Sequence, residues 1–82
     1  NHGLLVVGKT IADAFLSMYT FEATCQIQLA AQSGGGALTH VDPRIVSGVA
    51  ESMRVQTGGL GGAFVWPALL RTLQRIDPGY LD

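Results

Sequence analysis

Eighty-two residues with 48% apolar side chains, 13% charged side chains and a formal net charge of −1 describe one small domain at most. The charged share is about half that of an ordinary soluble protein, and a chain this short buries only about 60–65% of its unfolded surface unaided. The expectation is therefore a piece of a longer protein that hides surface against a partner subunit or further polypeptide. The cations are Lys9 and four scattered arginines, Arg44, Arg54, Arg71 and Arg75. They form no basic footprint, so a nucleic-acid partner is not expected. Asp13 and Glu22 interrupt the most apolar stretch, and no uncharged apolar run reaches the ~18 residues of a membrane span. There is no signal-peptide pattern. The single cysteine, Cys25, cannot form an internal disulfide, which points to a reducing cytoplasm.

In chain order, Leu4-Leu5-Val6-Val7 lies between Gly3 and Gly8 and reads as a short strand with apolar residues on both faces. A lone strand cannot satisfy its own backbone groups, so this one needs neighbours from elsewhere. Thr10 is a good N-cap, with Asp13 three residues on at capping-box spacing. A helix then runs to about Ser33, roughly 34 Å at 1.5 Å per residue, and Gly34-Gly35-Gly36 ends it. Asp13, Ser17, Thr20, Thr24 and Gln28 make one narrow polar stripe on an otherwise apolar helix, the pattern of a buried helix. Asp42 and Pro43 open a second helix as N-cap and first residue. Its apolar face is Ile45, Val46, Val49, Ala50 and Met53, and it ends between Gln56 and Gly58.

The glycine-dense stretch Thr57-Gly58-Gly59-Leu60-Gly61-Gly62 reads as a flexible linker. It lacks the Lys-Ser/Thr ending and the preceding strand of a phosphate-cradling loop. A third helix is expected from about Trp66-Pro67 to Ile76, with Trp66, Leu69, Leu70, Leu73 and Ile76 as its apolar set. Asp77-Pro78-Gly79 stops it.

Few residues could carry chemistry. His2 precedes the apolar run and adjoins Gly3, where a ring nitrogen could project into a cleft. One histidine does not make a metal site, since a catalytic zinc needs about three protein ligands. His40 has no ligand-spaced companion and reads as a loop histidine. Glu22 and Gln26 lie one turn apart on the first helix. Glu22 is either buried against a cation or backbone donors, or reaches solvent at a helix edge. Cys25, mid-helix among apolar neighbours, reads as a small hydrophobe rather than a nucleophile. Tyr19 reads as core and Tyr80 as part of the tail.

Three stretches together resemble the class II aldolase/adducin family: Asn1-His2-Gly3-Leu4-Leu5; Gly8-Lys9-Thr10; and the helix carrying Ala14, Met18, Glu22, Ala23 and Cys25-Gln26-Ile27-Gln28-Leu29. Trp66, Ala68-Leu69-Leu70-Arg71 and Asp77-Pro78-Gly79-Tyr80 resemble the end of bacterial members. The resemblance implies an α/β fold. Residues 1–82 would be the C-terminal part of an α/β/α sandwich, contributing one short strand and three helices. It also implies that His2 is one ligand of a divalent cation, zinc in the usual case. The family's remaining ligands form a His-x-His pair that this sequence lacks, and its catalytic acidic residue lies upstream of the matched part.

The implied reaction is that of a metal-dependent lyase or epimerase. It acts on a small hydroxy-carbonyl, sugar-phosphate-like substrate, with the metal stabilising an enediolate as a Lewis acid. By the same resemblance the enzyme is a homo-oligomer. Two alternatives stand beside this one. The first is a non-catalytic, adducin-like oligomerisation or scaffold module whose interface is the apolar helix. The second is an independent three-helix interaction domain, which would be a folded, metal-free monomer.

Overall fold

The structure is a computed structural model and describes residues 2–81. Its described residues form α1 (Ile11–Gln32), α2 (Pro43–Thr57), α3 (Gly61–Ile76) and a short 3-10 turn, η1 (Pro78–Leu81). No strand forms among them, and this overturns the α/β expectation for the chain. Residues 4–7 are irregular, with Leu5 and Val7 exposed. The physical reason is that a strand exists only as a member of a ladder. The rest of the described chain is spent on helices and their connections, which leaves no second strand to pair with.

The helix ends follow local chemistry. The Asp13 backbone N–H donates to Thr10 Oγ1 at 3.1 Å, and the Thr10 hydroxyl donates to Asp13 Oδ2 at 2.9 Å. This satisfies one of the orphan donors of the first turn and sets a carboxylate at the positive end of α1. At α2, Asp42 Oδ1 accepts from the Arg44 backbone N–H at 2.8 Å, and Pro43 follows at the first helical position. Gly58 closes α2 in the left-handed region, at φ 62° and ψ 21°, with the cap N–H donated to the Arg54 carbonyl. A residue with a Cβ adopts that conformation only at a cost.

The chain divides into two compact units. The first comprises the described residues up to Met18 together with those from Leu60 onward, and the second is Tyr19–Gly59. α1 contributes residues to both.

In the first unit, α3 begins at Gly61, about a turn and a half before the expected start at Trp66. Pro67 therefore lies inside the helix, where its missing N–H leaves the Ala63 carbonyl without its usual partner. Ala63 and Pro67 are both exposed, so water can take that carbonyl. Gly62 is the one buried residue among those described. A Cβ placed there would lie 2.7 Å from the Asp13 backbone nitrogen and 2.8 Å from the Ala12 carbonyl carbon, and would also strike Asp13 Oδ1. The start of α3 thus abuts the first turn of α1 backbone to backbone. Gly61 and Gly62 are helical, and Gly62 is a packing site, instead of the flexible linker that their composition suggests. Further along, Phe15 of α1 meets Trp66 of α3 edge to face, with ring centroids 5.7 Å apart and planes at 67°. η1 packs against α3, and its Gly79 N–H donates to Asp77 Oδ1 at 3.0 Å.

The second unit holds the rest of α1, the connection after it and α2. Exposed ion pairs run along α2: Arg44 Nη2 to Asp42 Oδ2 at 2.7 Å, and Arg54 Nη2 to Glu51 Oε1 at 2.6 Å. On α1, Thr24 Oγ1 donates to the Thr20 carbonyl at 2.7 Å.

No apolar side chain is buried among the described residues. These residues alone do not supply the cover that the apolar circumference of α1 calls for. Phe21, Ile27 and Leu29 stand 51%, 69% and 69% exposed. The described chain covers the apolar circumference only in part: Phe15 meets Trp66 and Gly62 abuts Ala12 and Asp13, while most of the large apolar side chains of α1 stay exposed. On α2 the apolar face of Ile45, Val46, Val49 and Met53 is likewise exposed.

Candidate functional site

His2 is exposed, and it is followed by Gly3 at φ 116°, a backbone conformation that L side chains rarely adopt. Asn1, the first residue of the Asn-His-Gly run, lies outside the described residues. The segment after Gly3 reaches Gly8, which lies so close to the start of α1 that a Cβ would sit 2.7 Å from the Ala14 nitrogen. The His2 end is thus linked to the rest of the first unit through a chain seated on the first turn of α1.

A bound cation needs converging donors. Among the described residues no group of three or more His, Cys, Asp or Glu side chains comes together. His2 offers one imidazole to solvent, and His40 is exposed in the connection between α1 and α2. These donors do not by themselves fit a metal ion, for which zinc asks about three protein ligands in tetrahedral geometry.

The other side chains with chemical potential have structural settings. Glu22 reaches solvent, with Gln26 Nε2 donating to its Oε1 at 3.2 Å, so the helix-edge alternative holds. Cys25 is half-buried and forms no disulfide among the described residues. Tyr80 lies in η1 and is exposed. Asp42 is held below the usual carboxylate range, first by its side-chain bond with the Arg44 guanidinium and then by the Arg44 backbone N–H. The same partnership raises Arg44. Glu51 is lowered, and Arg54 raised, by their mutual bond. All four groups lie at the surface of α2 and its cap.

The first unit also contains an open apolar groove of about 270 Å³. Trp66, Leu69, Leu70, Leu73 and Ile76 of α3 line it, together with Phe15 of α1. The α3 contribution is visible in the sequence as a 3.6-residue periodicity. The participation of Phe15 is not, because no local signal says which face of α1 meets α3. Thr72 is its polar neighbour, with its hydroxyl donating to the Ala68 carbonyl at 3.1 Å.

Residues 1–29 match the family described as the class II aldolase and adducin N-terminal domain. A protein of Pseudomonas aeruginosa that carries the provisional name of aldolase class 2 protein is 49% identical over 98% of this chain. A similarly named protein of Caulobacter vibrioides is 38% identical over the whole chain. Human β-adducin is 34% identical over half of it and is covered to only 6% of its own length. No solved structure matches. The chain belongs to the class II aldolase/adducin family. It spans about a third, 32%, of the length of the two bacterial relatives. No helix among the described residues is long and apolar enough to cross a membrane.

Proposed function

We propose that this chain is a segment of a metal-dependent class II aldolase-type lyase or epimerase acting on a small hydroxy-carbonyl substrate of the sugar-phosphate kind. In this reading His2 supplies one ligand of a divalent cation, zinc by preference, and the other donors come from polypeptide outside the 82 residues. The observation that carries the proposal is Asn1-His2-Gly3 at the head of the family-matched segment, in a chain 49% identical over 98% of its length to an aldolase-type relative. The described geometry is compatible with it in two respects. The imidazole is exposed, and therefore open to a ligand field completed by other chain. Its neighbour Gly3 has a positive φ that turns the backbone where a side chain would resist. A homo-oligomer is part of the proposal by the family resemblance; the exposed apolar faces of α1 and α2 call for cover, which a second subunit and the rest of the same subunit explain equally well.

A non-catalytic scaffold is the weaker reading, since the β-adducin match reaches only half of the chain. The test is zinc stoichiometry, measured by elemental analysis, of the complete protein and of its His2→Ala and His40→Ala variants. Loss of stoichiometric zinc in His2→Ala alone, with unchanged circular dichroism, is the expected result. Full retention of zinc in His2→Ala overturns the assignment.

A further inference from the structure

We draw no further inference here: the strongest candidate, the open apolar groove between Phe15 of α1 and the Trp66-to-Ile76 face of α3, carries nothing because nothing in the structure shows what covers it.

Discussion

Gly62→Ala tests the contact that decides where α3 begins. Two effects compete. Alanine is the better helix former, by roughly 0.5–1 kcal/mol in a helix interior, and the gain is smaller at the second residue of a helix. Against it stands the new methyl, 2.7 Å from the Asp13 backbone nitrogen and 2.8 Å from the Ala12 carbonyl carbon. Both atoms belong to backbone and cannot rotate aside, so one helix must shift. Overpacking of this kind costs about 1–3 kcal/mol. With a gain of about 0.5 kcal/mol at this position the clash wins, leaving a net loss of about 0.5–2.5 kcal/mol. Gly48→Ala is the matched control, because Gly48 is inside α2 and nothing lies within 4 Å of its added methyl. Only the propensity effect acts there, and a gain of about 0.5–1 kcal/mol is expected. Urea denaturation of the complete protein at one fixed concentration reads both variants. The midpoint should fall for Gly62→Ala and rise for Gly48→Ala. A Gly62→Ala midpoint that rises like that of the control would refute the close approach of α3 to α1.

Three further outcomes are expected. Asp42→Ala should lower the urea midpoint and Asp42→Asn should lower it less, because asparagine still caps while losing the ion pair to Arg44. Arg44 depresses the folded-state pKa of Asp42 below its unfolded value. The carboxylate's contribution is therefore complete above the ordinary aspartate range and is lost as pH falls through the lowered value. The difference between wild type and Asp42→Asn should shrink only in strong acid, and a difference already gone at pH 6 would contradict the pairing. A double-mutant cycle on Phe15→Ala and Trp66→Ala should give a coupling of about 0.5–1.5 kcal/mol for their edge-to-face contact. Phe15→Ala alone should shift the emission of Trp66, the single tryptophan of these 82 residues. Additive effects with unchanged emission would remove the contact. Finally, the 82-residue polypeptide by itself has no buried apolar side chain among its described residues. It should melt without a cooperative calorimetric peak, whereas a sharp peak from a monomer would revive the independent three-helix domain.

Much of this chain was legible one residue at a time. Thr10 with Asp13, Asp42 with Pro43, and Gly58 mark helix ends by chemistry that acts within a single turn. Such bonds form without reference to distant chain. The three helices were legible for the same reason, as was the apolar set of α3. His2 was singled out by its neighbours and by family resemblance. Its candidacy as a ligand could not be carried further, because a coordination sphere is assembled from separated segments.

What tertiary structure decided was everything that needs a second segment. Leu4-Leu5-Val6-Val7 has the composition of a strand, yet a strand is a property of a pair, and the described chain contains no partner for it. Gly61 and Gly62 have the composition of a linker but lie in α3, and at Gly62 only a residue without a Cβ lets that backbone meet the first turn of α1. The apolar circumference of α1 was evident from sequence, but whether it is covered depends on what surrounds it. Local hydrogen bonding can be read from neighbours in the chain; burial and strand pairing depend on neighbours in space.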